Sequence, residues 1–173
     1  MHHIKKFLFC LLLIPMVFSA QESTYTKDIA DYLDNNGTML QYEFAYGELM
    51  KMLGSQYPKN ENNAQGWEYL EGNKSKAVAE MKILLIPIYQ ANFTHDEITK
   101  MIGFYQSEAG ILLLKDRSKM TESHKEELND FYNSAVGQKI ISKQEVLSEE
   151  ISKVSESWSR YLYETSISLL NNE

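Results

Sequence analysis

Two histidines, His95 and His124, have the side chains best suited to metal binding or proton transfer. His95 precedes Asp96-Glu97, and His124 precedes Glu126-Glu127. A transition-metal site needs such rings and a carboxylate to converge on one point. Each histidine, however, lies near a predicted helix start. We therefore interpret both as solvated helix-start residues and predict no metal site and no cofactor.

The sequence offers no other set of catalytic groups. It contains no G-x-S-x-G pattern, and its single cysteine, Cys10, lies in the leader described below. The adjacent acids of Glu126-Glu127 and Glu149-Glu150 would point about 100° apart on a helix, so neither pair can act as a carboxylate dyad. No catalytic residue is predicted, and an enzyme is the third of three functional hypotheses.

Three aromatic residues form a candidate ligand pocket. Tyr105 and Tyr132 occupy equivalent places in two similar segments, and Trp158 lies on the last predicted helix. If the two segments do not pack fully against each other, the rings of these side chains would line an apolar pocket, and their polar ends would be available in it. The alternative is that all three are buried as ordinary core residues.

The chain begins MHHIKKFLFCLLLIPMVFSAQES, which has the order of a secretory signal. Lys5 and Lys6 precede an apolar run from Phe7 to Phe18, and small residues follow. The run is too short to span a bilayer, which requires about 20 residues. We predict that residues 1–20 are removed after Ala20, with an uncleaved anchor as the alternative. The predicted mature part, residues 21–173, is then a single domain in the periplasm or outside the cell, with no transmembrane segment.

The net charge of −7 excludes nucleic acid as a partner, because an acidic chain repels phosphate backbones. Loss of the leader removes two lysines and makes the chain more acidic still. It also removes Cys10, so no disulfide is available.

Helical periodicity recurs along the chain and strand alternation is missing, which predicts an all-α bundle of six to eight helices. One helix is predicted to end at Asn35. The next would start with a Thr38-x-x-Gln41 capping box and end at Gly54. A long helix is predicted from Lys74 to Gln90, with a kink or a stop at Pro87.

An internal repeat links residues 93–116 with residues 120–143. FYQSEAG in the first copy corresponds to FYNSAVG in the second. In the first copy Thr94-x-x-Glu97 is a capping box, and Ser107 caps a second helix, so the unit is helix, bend, helix.

In the second copy His124 replaces the glutamate of the box, which predicts a weaker cap or a shift to Ser123-x-x-Glu126. The expected bends fall at Ser107 and Ser134. As an alternative, both serines lie within continuous helices.

The last helix carries an apolar seam at alternating spacings of four and three residues. This seam closes the bundle or, as the alternative, pairs with another chain. It consists of Leu147, Ile151, Val154, Trp158, Tyr161 and Thr165.

These segments resemble a bacterial family of exported helical proteins, the domain of unknown function numbered twenty fifty-nine. The resemblance is carried by Ile86-Pro87-Ile88-Tyr89, by Phe93-Thr94-x-Asp96-Glu97-Ile98, and by the two FY-x-S segments. Members of the family often have a proline after the serine, where this chain has Glu108 and Ala135. The resemblance implies a helical fold and an exported location. It implies no known activity and supplies no catalytic residues.

Three functional hypotheses follow. The leading one is a non-enzymatic protein of the periplasm or envelope that acts through protein contacts, with a partner protein or with itself. The second is a binder of an apolar or lipid-like ligand between helices. The third is an enzyme.

Overall fold

The computed structural model describes residues 14–171, with side chains from Thr24 onward. This part of the chain contains eight α-helices and one short 3-10 turn, and no strand, so the prediction of an all-α bundle is confirmed. Residues 1–13 of the predicted leader lie outside the described residues, and its removal stays a prediction. The helices are α1 (Ile14–Asn35), α2 (Thr38–Gln56), α3 (Ala64–Gly72), α4 (Lys74–Asn92), α5 (His95–Gln106), α6 (Glu108–Lys115), α7 (Glu122–Asn133) and α8 (Ala135–Leu170).

The turn between α1 and α2 is made by Asn36-Gly37, and the predicted Thr38 capping box is wrong. Gly37 has φ 84°, a left-handed conformation that glycine adopts without steric cost. Thr38 is therefore the first helical residue, and its backbone N–H donates to Oδ1 of Asn36 at 2.9 Å. The asparagine side chain thus forms an Asx-turn before the helix, and no side chain caps α2.

The predicted end of α2 at Gly54 is also wrong, because α2 continues to Gln56. Of the two alternatives at Pro87, the stop is wrong, because α4 runs on to Asn92, and the kink stays a prediction. A proline removes one backbone hydrogen bond, but packing can hold a helix together across it. Leu85 and Tyr89, on either side of Pro87, are both buried and anchor the two parts of α4 in the same core.

The main core lies among α1, α2, α4, α5 and α8. Its least exposed members are Ile29, Leu33, Ala77, Met81, Leu85, Ile98 and Met101. A second, smaller core joins α2, α3 and the end of α8 through Leu53, Trp67, Leu70 and Leu170. A third lies within the repeat, around Phe104, Ala109 and Leu113.

The first repeat unit has the predicted architecture. Thr94 caps α5 with a complete capping box: its backbone N–H donates to Glu97 Oε2 at 2.8 Å, and its hydroxyl accepts from Glu97 N. Ser107 interrupts the helix with φ −71° and ψ 164°, and its Oγ accepts from Gly110 N to start α6. The bend at Ser107 is confirmed.

The second unit repeats this arrangement, with a histidine in place of the glutamate. Thr121 is the N-cap of α7, and its backbone N–H donates to Nδ1 of His124 at 3.2 Å. The alternative cap at Ser123 is therefore wrong. Ser134 bends the chain with φ −66° and ψ 163°, and its Oγ accepts from Gly137 N. The second helix of this unit then continues without a break into the predicted closing helix, so that both form α8, of 36 residues.

The predicted seam of α8 is right in its first half and wrong at Tyr161. Leu147 and Trp158 are buried, but Tyr161 is 61% exposed and Leu162 is buried in its place. Spacings of four and three average 3.5 residues per turn, whereas a straight helix has 3.6, so the buried line drifts away from the seam. From Trp158 onward the buried positions are Leu162, Ser166 and Leu170, each four residues apart.

Candidate functional site

Equivalent residues of the two repeat units meet each other. The rings of Phe104 and Phe131 stack with centroids 4.0 Å apart and an interplanar angle of 6°. The two units therefore pack against each other through equivalent residues at this pair of rings.

The glycine of each FY-x-S-x-x-G segment allows the chain to fold back closely at the bend. A Cβ at Gly110 would lie 2.1 Å from the carbonyl oxygen of Phe104, and one at Gly137 would lie 2.1 Å from that of Phe131. The second helix of each unit thus passes too close to the last turn of the first for any side chain there. The serine side chain caps the second helix, and the glycine, having no side chain, leaves room for the two helices to approach closely. This explains why the serine and the glycine recur together in both units.

Tyr105 and Tyr132 lie side by side next to the stacked phenylalanines, within the aromatic core. Burial raises the pKa of Tyr105 to about 12, and the neighbouring Tyr132 hydroxyl adds to this effect. Tyr105 also contacts Tyr32 edge to face at 5.8 Å, and Tyr32 in turn contacts Tyr89. Burial likewise raises the pKa of Tyr89 to about 12. Tyr105 thus belongs to a cluster of closely packed tyrosines with Tyr32 and Tyr89, and Tyr132 adjoins this cluster.

Trp158, the third predicted residue, has different neighbours. Its ring meets that of Tyr42 edge to face at 5.5 Å, and its indole N–H donates to the carbonyl oxygen of Ala77 at 3.0 Å. The structure thus brings Tyr105 and Tyr132 together, but its ring contacts do not join Trp158 to them. A pocket shared by the three side chains stays a prediction.

A cavity does open beside Trp158, on the surface between α4 and α8. This α4–α8 groove has a volume of about 360 Å³ and is largely apolar. Its α4 wall exposes 66% of Ile83 and 44% of Leu84, and its α8 wall exposes Tyr161. The lining residues are Glu80, Ile83, Leu84, Ser157, Trp158 and Tyr161. Large apolar side chains exposed together in a concave surface are typical of a binding site.

An apolar run in α4 could have predicted this groove from the sequence. Residues 83–88 read ILLIPI, an uninterrupted apolar run within a helix. A helix that is apolar on all sides is either buried all round or has an apolar face that something else covers. α4 packs on α1, α2, α3 and α8, yet Ile83 and Leu84 stay exposed to solvent.

The two histidines lie near helix starts as predicted, but they are not solvated: the side chain of His95 is 30% exposed and that of His124 is 15% exposed. Nε2 of His95 lies 2.6 Å from Asp28 Oδ2 of α1, and its ring is tilted against that of Tyr25. Nε2 of His124 lies 3.5 Å from Glu108 Oε2. In the part of the chain with described side chains, no three histidine, cysteine or acidic residues are placed to hold a metal ion.

A set of polar contacts holds the α4–α5 corner against the helices around it. The hydroxyl of Tyr25 donates to the carbonyl oxygen of Phe93. On the other side, Lys139 Nζ of α8 lies 2.6 Å from Glu97 Oε2, and the lysine is the main reason why the pKa of this carboxyl is lowered. Asn92, which is buried, donates to Glu150 of α8 at 3.2 Å. These contacts fix α5, and with it the repeat, relative to α1 and α8.

Comparison with known families finds one family that matches the part of the chain from α4 to α8. The sequence model of the family described as "uncharacterized protein conserved in bacteria (DUF2059)" matches residues 79–123 and residues 117–163. Residues 79–163 of the chain therefore match this family. The DUF2059 segments together run from α4 to Tyr163 of α8, so they include both repeat units and both walls of the groove. No curated protein and no solved structure matches the chain significantly.

None of the helices within residues 14–171 has the length and apolar character required to cross a membrane.

Proposed function

We propose that this protein acts outside the cytoplasm through contacts with a protein partner, and that the α4–α8 groove is the contact surface. The observation that carries the proposal is the exposure of Ile83, Leu84 and Tyr161 in one concave surface. Exposing such side chains to water is unfavourable by about 25 cal/mol for each Å² of apolar surface, so covering them on binding is favourable. A groove between two helices also has a shape that accepts a third helix.

Photocrosslinking in the protein's own host tests the proposed surface. A photoreactive amino acid is introduced at Ile83 or at Tyr161, and at Ile141 as a matched control. Ile141 is also an apolar residue on α8, and it is 50% exposed, but it lies outside the groove. We expect one specific protein adduct from the two groove positions and none from Ile141. Absence of an adduct, or the same adducts from all three positions, would contradict the proposal.

The groove also supports the alternative function, binding of an apolar or lipid-like ligand, because its volume suits a small molecule. Native mass spectrometry of protein purified from its own host separates the two functions. A lipid that co-purifies with the native chain, and is lost from an Ile83→Ser variant, would select the ligand. A protein that co-purifies and is lost in the same variant would select the partner.

Export is the second part of the proposal, and it rests on the order of Lys5-Lys6, the apolar run and Ser19-Ala20. N-terminal sequencing of protein recovered from its own host provides the test. We expect a mature chain that begins at Gln21. A chain that keeps its first twenty residues in the host would contradict removal of the leader.

A further inference from the structure

We infer that His124 makes the start of α7 acid-sensitive, because the form of its ring that caps this helix is lost when the ring gains a proton. This property of the second repeat unit does not depend on the α4–α8 groove and adds to the proposed function. It arises at the position where the capping boxes of the two units differ, which is Glu97 in the first unit and His124 in the second.

The hydrogen bond at the α7 cap fixes the protonation state of the ring. The backbone N–H of Thr121 donates to Nδ1 of His124 at 3.2 Å, so Nδ1 presents its lone pair and the proton of the neutral ring lies on Nε2. A charged imidazolium carries a proton on both nitrogens and accepts no hydrogen bond. Protonation of His124 therefore removes one half of the capping box, and it places a positive charge at the positive end of the α7 dipole.

The first half of α7 has little apolar packing to hold it in place. None of the residues of α7 is buried. Leu128 and Phe131, which pack partly against the core around Phe104, both lie in the second half of the helix. Most of the stability of a short helix in a protein comes from the packing of its apolar face. The first turn of α7 therefore depends on its cap, and loss of the cap should fray the helix from Thr121.

The charged groups around the ring do not reverse this effect. α6 contributes Glu108, whose Oε2 lies 3.5 Å from Nε2 of His124 and would attract a charged ring, but this carboxylate is 78% exposed and such pairs contribute little. α8, the other helix packed against α7, carries the cations Lys139 and Lys143 in its first turns, and these would repel a charged ring. The charged residues on either side of His124 in the chain are exposed and screened by solvent: Lys119, Glu122, Lys125, Glu126 and Glu127.

The first repeat unit lacks this sensitivity. Its cap acceptor is the Glu97 carboxylate, and the neighbouring Lys139 ammonium lowers the pKa of this group, so it stays ionised between about pH 5 and pH 8, where histidines titrate. Nε2 of His95 lies 2.6 Å from Asp28 Oδ2, and a proton gained by this ring strengthens the pair because the hydrogen bond then joins two charges. Acid should thus loosen the second unit and leave the first in place.

Nuclear magnetic resonance of isotope-labelled protein recovered from its own host tests the inference, with the first unit as an internal reference. The backbone amides of Lys125 and Ile98 are equivalent, since each donates to the carbonyl oxygen of the threonine that caps its helix, at 3.1 and 3.0 Å. From about pH 8 to about pH 5 we expect the hydrogen-exchange protection factor of Lys125 to fall about three- to tenfold and that of Ile98 to stay unchanged. The His124 ring should carry a proton on Nε2 alone at the higher pH and on both nitrogens at the lower pH.

Three variants locate the response. His124→Gln keeps an acceptor that does not titrate, so the loss of protection at Lys125 should disappear. Glu108→Gln removes the carboxylate that faces the ring, and the loss should persist. His95→Gln is the matched control, because it removes the histidine at the start of α5 and leaves the α7 cap intact. The loss should persist in this variant as well.

Four results would overturn the inference: a proton on Nδ1 of His124 at the higher pH, equal changes at Lys125 and Ile98, an acid response that survives in His124→Gln, or one that disappears in Glu108→Gln or His95→Gln. Disappearance in Glu108→Gln would assign the response to the ion pair and not to the cap. The first two results need no variant, so they remain decisive if a substitution disturbs folding.

Discussion

Replacement of the repeated glycines by alanine tests the close packing at the two bends. A Cβ at Gly110 would lie 2.1 Å from the carbonyl oxygen of Phe104 and 2.7 Å from Cα of Tyr105. Both atoms belong to the backbone, so neither can rotate away as a side chain could. To accommodate the methyl group, α6 must shift away from the end of α5 and disturb the core around Phe104, Ala109 and Leu113.

The expected magnitude follows from two opposing effects. Overpacking of a tightly packed site costs about 1–3 kcal/mol. The higher helix propensity of alanine offsets about 0.8–1.0 kcal/mol of this cost in a helix interior, and less near a helix start. We therefore expect Gly110→Ala to lower the free energy of unfolding by about 1–2 kcal/mol. Gly137→Ala should have the same effect, because its Cβ meets the equivalent atoms at the same distances, 2.1 and 2.7 Å.

Gly103→Ala is the matched control, because Gly103 lies inside α5 with no atom within 4 Å of its Cβ position. This substitution should raise the free energy of unfolding by about 0.5–1 kcal/mol. Urea unfolding followed by far-ultraviolet circular dichroism measures all three variants, with comparable m values as the sign that the unfolding transition is unchanged. If Gly110→Ala or Gly137→Ala is as stable as the native chain, or shifts in the same direction as Gly103→Ala, the steric reasoning is refuted.

Three further predictions concern the caps and the buried tyrosines. Ala135→Pro should stabilise the protein by about 0.4–1 kcal/mol. Ala135 is the first residue of α8, and Ser134 already has the extended conformation that residues before proline adopt. A lower melting temperature of the variant would contradict this prediction. His124→Gln should keep the α7 capping box, whereas His124→Ala should lose about 0.5–1 kcal/mol; equal stability of the two variants would show that the ring nitrogen has no capping role. Because burial raises the pKa of Tyr89 and Tyr105 to about 12, both remain neutral in the folded chain after the unfolded chain has begun to ionise near pH 10. Stability should therefore be full below about pH 10 and fall as the pH rises toward 12, by about 1.4 kcal/mol per pH unit for each tyrosine. Urea unfolding at about pH 9 and pH 11 measures the loss, which Tyr89→Phe should reduce and which an unchanged midpoint would disprove.

The capped and bent helices could be predicted from the sequence because their causes are local. The Thr94 box, the Ser107 and Ser134 caps and the Asn35 helix end each depend on groups within about four residues. The same local reasoning failed at Thr38, where Asn36-Gly37 offered a competing turn. Where two local patterns compete, spacing alone does not say which one forms.

Only the tertiary structure decided which apolar surface is covered. Pro87 remains inside α4 because buried residues on both sides of it share one core, and Leu162 replaces Tyr161 in the interior because the buried line on α8 drifts. The stacking of Phe104 on Phe131 and the exposure of Ile83 and Tyr161 likewise depend on contacts between residues far apart in the chain. The sequence by itself determined the helices, the repeat and its bends, since these rest on hydrogen bonds and sterics between near neighbours. The contact between the two repeat units and the groove were decided by how the helices pack, because burial is a property of the assembled bundle and not of any one helix.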